Sequence, residues 1–470
     1  MDATLKHPQY RGASFWFDSL VASGADDLSP RPALAADMAV DVCIIGAGLT
    51  GLWTAYYLAQ ADPSLSIAVI EKEIAGFGAS GRNGGWCSAL FPLSASALET
   101  RYGFSAAVAM REAMIGTVAE VERVTQAAGI ECDFALGGTV AFVRSRVQFA
   151  SAREELDEAA RFGVDRLKLL GTDSVQERFG APSARAAVFT ADCARVQPAK
   201  LVRGLARVVQ DLRVSIYEQT EAHRWSKGSV EVTTSAGSFT VRAKTVVNAL
   251  EGYGSQLSDV GRAVLPLYSL MIATEPLPED TWNRIGIAHG ETFTDYRHLL
   301  IYGQRTADNR FAFGGRGARY HLGSAIRPAY DRVPRVTHHL RRALVELFPD
   351  ARSARVTHQW GGPLGVPRDW HASVGFDREA GTAWAGGYVG DGLSTTNLAG
   401  RTLADLITGQ DSELSRLPWV NHVSPRWEPE PLRFIGANLG LVGMQFADAE
   451  ESVTGRASLA AKAIAPLTGH

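Results

Sequence analysis

The sequence predicts an α/β chain: a Rossmann-like dinucleotide-binding domain with an interleaved α+β substrate domain built on an antiparallel sheet. Three observations carry that prediction. Residues 42–51 read VCIIGAGLTG, a β-branched apolar run that stops at glycines with GxGxxG spacing and passes into an apolar, helix-compatible stretch. A second apolar run, residues 66–70, ends at Glu71, where the carboxylate that holds an adenosine ribose belongs. Strand and glycine-loop patterns of the same kind return at residues 244–254 and 383–396, with alternating strands between them. The nucleotide domain is therefore interrupted and resumed.

Taken in order, residues 1–38 mix charges, proline and aromatics and lack the apolar stretch of a signal peptide. They read as an arm whose Tyr10, Phe15, Trp16 and Phe17 pack on the body. In the first strand–turn–helix unit, Gly46 allows the turn, Gly48 lets backbone approach a pyrophosphate, and Gly51 lets the helix lie close to the strand. The helix N–H groups and dipole then face the phosphates. Glu rather than Arg at position 71 disfavours a 2′-phosphate. Residues 76–85, GFGASGRNGG, read as a loop pressed against a flat or charged ligand, with Ser80, Arg82 and Asn83 supplying polar contacts.

Helical patterning fills residues 95–128. Residues 134–143 read as a strand pair bent at Gly137 and Gly138, and residues 145–162 as a helix capped by Ser145. Residues 187–196 read as extended, and Pro198 opens a helix to Gln210. A strand at 214–217, a hairpin-like pair over 228–241 and a buried strand at 244–249 resume the nucleotide domain. Between 266 and 362, alternating runs at 268–274, 298–302 and 310–314 predict an antiparallel sheet under a helix at 335–348. The terminal glycine loop leads to a helix at 397–409. Residues 434–446 are apolar with three interior glycines and too short to span a bilayer, so a packed C-terminal helix or a peripheral contact is expected.

The resulting segments are an arm (1–38), a discontinuous nucleotide domain (39–90, 187–255 and 363–415), a substrate or cap domain (91–186 and 256–362) and an extension (416–470). At 470 residues, two domains are the natural expectation. A net charge of −3 with dispersed arginines argues against nucleic acid and against an anionic membrane as partners. The four cysteines are far apart without metal-ligand spacing, so no metal site, no disulfide framework and a cytoplasmic location are expected.

The GASGRNGG run at 78–85, TADNR at 306–310 and the terminal glycine loop followed by LAGR at 398–401 resemble the FAD-dependent oxidoreductases of the D-amino-acid oxidase type, the group holding glycine and sarcosine oxidases. Within that group the chain resembles in particular members like γ-glutamylputrescine oxidoreductase, over residues 15 to 445. The resemblance implies FAD with Gly46, Gly48, Leu49, Thr50 and Gly51 at the pyrophosphate and Glu71 and Lys72 at the adenosine. Ser80 would lie near the phosphates, Arg82, Asn83, Gly84 and Gly85 beside the flavin, and Ala222 at adenine. Gly390, Gly392, Leu393, Ser394 and Thr395 would meet the pyrimidine end, where a helix dipole offsets negative charge on the reduced ring. Residues 359–376 lack the cysteine that carries covalent flavin in some members, which implies non-covalent FAD.

The reaction implied is hydride transfer from a C–H bond beside an amine nitrogen to flavin N5, followed by imine hydrolysis to a carbonyl. The substrate would be a primary or secondary amine of amino-acid, polyamine-conjugate or aminophosphonate type. No lysine occurs between Thr245 and Ala461, although sarcosine-oxidase-like members use one to react with oxygen. Oxygen and another electron acceptor both stay open, as does the oligomeric state. A flavoprotein that modifies a macromolecular partner is the alternative, and the lack of basic clusters counts against it for RNA. Candidate reaction-centre residues are Trp86, Tyr253, Arg316 and Tyr388. Glu251, Arg297, His298, Tyr302, His358 and Trp360 are further polar or aromatic candidates.

Overall fold

The opening apolar run is buried on both faces of a sheet, so it forms the strand Met38–Ile45 with parallel neighbours on each side. This is a computed structural model, and it describes residues 8–164, 166–257 and 261–468. The first seven residues of the expected arm and the last two of the expected extension lie outside them.

Across the first sheet the strands run Ser373–Asp377, Thr382–Gly386, Gly237–Asn248, Met38–Ile45, Ile67–Ile70 and Ser215–Tyr217. All of these neighbours are parallel except the outermost pair, Ser373–Asp377 with Thr382–Gly386. Helices Leu49–Ala61, Phe104–Ala127, Pro198–Asp211 and Gly392–Thr408 share one core with the strands. Where a hairpin was expected at 228–241, Glu221–Ser226, Ser229–Thr234 and the start of Gly237–Asn248 form a three-stranded meander. Its Val230, Val232 and Val241 pack with Cys43, Ile45 and Ile70 in a separate core.

The second sheet runs Val356–Pro367, Val264–Thr274, Phe311–Gly315, Ile301–Arg305, Thr292–Asp295, Thr139–Val143, Ala186–Thr190 and Lys168–Leu170. Only the pairing of Thr292–Asp295 with Thr139–Val143 is parallel. The expected helix beneath it is Pro334–Leu347, burying Val336, Leu340, Ala343, Leu344 and Leu347. The arm helix Phe15–Ser23 places Phe15, Trp16 and Phe17 in a core with Ile74, which follows a strand of the first sheet, and with Met271 and Trp360 of the second sheet. The helix Leu432–Thr454 follows, with Leu459–Thr468 packed on it. Among the described residues no helix is long and apolar enough to cross a membrane. The four cysteines are buried and free.

Four expectations need correction. Residues 134–143 hold one strand, not two; Ala135 makes only an isolated bridge to Arg195. Residues 187–190, placed with the nucleotide segment 187–255, belong to the strand Ala186–Thr190 of the second sheet. The helix Phe104–Ala127, placed with the substrate segment 91–186, puts Met110, Met114 and Val118 into the first core. Periodicity shows that an element has a face to bury, but not which sheet receives it. Finally, the terminal helix starts at Gly392, not 397. The Thr395 hydroxyl donates to the Asp391 carbonyl at 2.6 Å, so this hydroxyl-rich turn satisfies itself inside a helix instead of breaking it.

Candidate active site

Two helix N-termini meet at the ends of the central strands. Gly46 has φ +106° and its missing Cβ would lie 2.8 Å from the Ala249 carbonyl oxygen, while a Cβ on Gly51 would lie 2.0 Å from that of Gly46. Both are buried, whereas Gly48 keeps accessible backbone. The Ala47 and Glu73 N–H groups each donate to the Glu71 carboxylate at 2.9 Å, and the Leu49 N–H donates to Ser80 Oγ at 2.8 Å. Burial pushes the Glu71 carboxyl up to about 7 against the pull of those N–H donors. Lys72 turns outward to Glu221 at 2.7 Å, one residue before Ala222 on the meander.

At the second N-terminus Gly390 is exposed with φ +116°. Leu393 is buried, and Ser394 Oγ donates to the Ser88 carbonyl at 2.5 Å. With the Ser394 and Thr395 hydroxyls engaged, this helix offers the N–H groups of its first turn, which have no partners within the helix. A Cβ on Gly400 would stand 2.7 Å from the Trp53 backbone, so the two helices touch along their length. The Tyr388 hydroxyl meets Thr50 Oγ1 at 3.2 Å inside the first core, joining their N-terminal ends. Glu251 has φ +47°, and its carboxylate accepts from the N–H groups of Gly365, Gly387 (3.2 Å) and Tyr388 (3.1 Å). It is a backbone bracket that ties the terminal loop to Gly365.

Residues 76–85 are held from outside. Four consecutive carbonyls, those of Gly81, Arg82, Asn83 and Gly84, accept from Ser14 Oγ, Trp360 Nε1, Trp16 Nε1 and Gln304 Nε2 at 2.9, 2.8, 2.8 and 2.5 Å. The Arg82 guanidinium turns to Asp331 at 2.8 Å and lies over the Phe77 ring. Asn83 closes on the loop itself, donating to Ala79 and Ser80 and accepting from the Gly85 N–H. The Arg82 and Asn83 side chains thus hold the loop, and the N–H groups of Gly81, Arg82, Asn83 and Gly85 are also bonded within it. Trp86 follows, edge-on to Tyr302, with its indole N–H buried and without a partner. Tyr253 packs against Gly78 at the base of the same loop, and burial pushes its phenol up to about 12.

Beside the terminal loop lies a cavity of about 320 Å³ between the second sheet and the helix Leu432–Thr454. Its sheet-side wall includes Leu265, Leu267, Leu364, Val366 and Trp370, and Val389 of the terminal loop closes one end. Arg316 reaches into it, donates to the Val389 carbonyl at 3.1 Å, and lies 5.3 Å from the centre of the Trp370 ring. Burial pulls the Arg316 guanidinium down and Asp391 opposes that pull; the Asp391 carboxyl is itself pushed up to about 6 by burial. Of the four reaction-centre candidates, Arg316 alone lines this cavity.

The other candidates are placed elsewhere. Arg297 pairs with Asp295, and His298 with Glu451 of the long C-terminal helix. His358 faces Asp18 of the arm helix. Sequence reasoning missed Asp391, the apolar walls and the role of the C-terminal helix. The one available signal was the recurrence of Gly436, Ala437 and Gly440 on one helical face.

Two converging helix N-termini, an accessible glycine, a carboxylate at the second strand's end and a fixed loop with an orphaned indole N–H fit a flavin dinucleotide. The chain is 27% identical over 393 residues to gamma-glutamylputrescine oxidoreductase of Escherichia coli, covering 83% of this chain and 89% of that protein. It is 28% identical over 383 residues to a probable oxidoreductase, OrdL, of Haemophilus influenzae, covering 80% and 84%. Glycine oxidase from Geobacillus kaustophilus superposes with a TM-score of 0.66 at 20% identity, over 82% of this chain and all of that one. Residues 41–406 match the family model described as FAD dependent oxidoreductase. The chain belongs to that family of FAD-dependent oxidoreductases.

Proposed function

We propose that the protein oxidises a primary or secondary amine of amino-acid type, with non-covalent FAD, to an imine that water then hydrolyses. The observation that carries this reading is Arg316: a half-buried arginine at the end of an apolar cavity, beside the terminal loop, with no carboxylate at salt-bridge distance among the described residues. Gly46, Gly48, Leu49, Thr50 and Gly51 would hold the pyrophosphate with Ser80 near the phosphates, Glu71 the ribose, and residues 82–85 and 390–395 the flavin. FAD, when bound, supplies the two-electron acceptor. The four buried cysteines support its being dissociable, because burial pushes their thiols up, away from the nucleophilic thiolate.

The chain's residues have three tasks. Arg316 binds the acid group and orients the C–H bond beside the nitrogen. The apolar walls exclude water, and together with the Arg316 charge they disfavour an ammonium, so the amine sits as the neutral base. Asp391, beside Arg316, tunes its charge with pH. The absence of lysine from 246–461 favours an acceptor other than oxygen as a second reading.

Anaerobic addition of amino acids, their N-alkyl derivatives, polyamine conjugates and aminophosphonates tests the proposal. Loss of the flavin's visible absorption with amino-acid-type amines is expected, and no loss with any amine would overturn it. Arg316→Leu should lower kcat/KM for carboxylate substrates by about 10- to 100-fold, the loss of a charge-assisted hydrogen bond of about 1.5–3 kcal/mol. Amines lacking the carboxylate should change little. Reoxidation by oxygen against an artificial acceptor separates oxidase from dehydrogenase.

A further inference from the structure

The charges around the cavity are already paired, apart from one. Arg368 bonds Glu428 at 3.0 Å and Arg433 bonds Glu430 at 3.2 Å, so Arg316 is the cation left for a ligand among the described lining residues. Everything else a ligand would meet is mostly aliphatic or indole. A polyamine tail would bring an ammonium to this surface with neither carboxylate free to receive it, which is unfavourable in a dry site. A volume of about 320 Å³ corresponds to roughly ten water-sized atoms at about 30 Å³ each. That is the size of an arylalkyl or branched alkyl group beside an acid head.

The opposite wall is the helix Leu432–Thr454, which presents Gly436, Ala437, Gly440, Leu441 and Met444 to the cavity, one or two per turn. A Cβ built on Gly436 would meet nothing within 4 Å. Glycine inside a helix lowers its stability relative to alanine. Here it makes no tight contact in exchange; what it leaves is room. The wall is also fixed at both ends. The Asp448 carboxylate accepts from the His298 and Leu299 N–H groups at 2.7 and 2.9 Å, and Glu430 accepts from the Tyr320 hydroxyl at 2.6 Å. A wall so anchored sets a size limit instead of swinging aside.

We propose that the substrate carries, beside its acid group, an apolar side chain or N-substituent of arylalkyl or branched-alkyl size, and that Gly436 on this helix sets its upper limit. The inference rests on the reading of the same cavity as the amine site.

It is tested on holoenzyme with two readouts: calorimetric binding of the redox-inert acids 3-phenylpropanoate and acetate, and anaerobic flavin reduction by N-methylphenylalanine and sarcosine. Wild type should prefer the aryl member of each pair by about 10-fold or more, and Gly436→Leu should lose about 10- to 100-fold on the aryl members while acetate and sarcosine stay within about twofold. Gly436→Ala should fold at least as stably as wild type and shift in the same direction by less. Met444→Phe, on the same face, stands in if Gly436→Leu does not fold. Equal losses on both members, or a wild type that prefers the small ones, would overturn the proposal. If sarcosine reduces the flavin while the aryl acids neither bind nor reduce it, the size inference fails and the amine reading survives. If 3-phenylpropanoate binds with the expected Gly436→Leu loss and no amine reduces the flavin, the amine reading fails and the size limit stands.

Discussion

Glu71 holds the glycine turn through the Ala47 N–H, and its carboxyl is pushed up to about 7. Ribose hydroxyls donate best to a carboxylate, so FAD binding should weaken as pH falls below about 7, by up to about tenfold per pH unit where binding must release the proton. Free-flavin fluorescence after ultrafiltration across that range checks it, and Glu71→Gln should bind more weakly with the slope gone. The fold has the opposite preference. A carboxyl raised from 4.5 to about 7 stabilises the folded chain below 4.5, and that contribution is lost as pH rises through about 7. Asp391, pushed up to about 6, acts on the other ligand. As it ionises above about pH 6 it offsets Arg316, so carboxylates should bind more weakly, and Asp391→Asn should remove that dependence in a calorimetric titration.

Among the elements, the loop at 76–85 stands out in the sequence by its glycine density. Its support does not. The donors to Gly81 and Asn83 come from Ser14 and Trp16, each 67 residues away, and no local pattern announces such a pairing. Trp16→Phe keeps the ring in its core but leaves the Asn83 carbonyl without its donor, at a cost of about 1–3 kcal/mol. A lower thermal midpoint, faster FAD loss and faster hydrogen exchange at residues 81–85 are expected; unchanged exchange there would show that the arm merely covers the loop. The C-terminal helix was legible only as apolar, because three of the positions facing the cavity, Gly436, Ala437 and Gly440, are small residues that a hydrophobic pattern scarcely registers.

At the scale of the molecule, the fold class was legible because GxGxxG, Glu71 and the later glycine loop lie at strand ends that only a parallel sheet brings together. The division into segments was less legible, since the helix Phe104–Ala127 and the strand Ala186–Thr190 each serve the sheet opposite to the one their neighbours in sequence suggest. The cavity was the least legible: one of the four candidate residues lines it, because burial and direction of a side chain are properties of long-range packing. The split path of the first sheet also governs time. Met38–Ile45 pairs with Gly237–Asn248, which pairs with Thr382–Gly386, and more than 300 residues separate the first strand from the last of these. At roughly 5–20 residues per second, a growing chain carries the finished GxGxxG sequence for on the order of 20 s to a minute before Thr382–Gly386, the last strand of that path, exists. A chain ended at residue 381 should therefore emerge colourless after incubation with FAD and desalting, where the full chain emerges yellow. Capture of the cofactor then becomes a late event in biosynthesis, and a yellow protein would report a chain translated past the strand Thr382–Gly386.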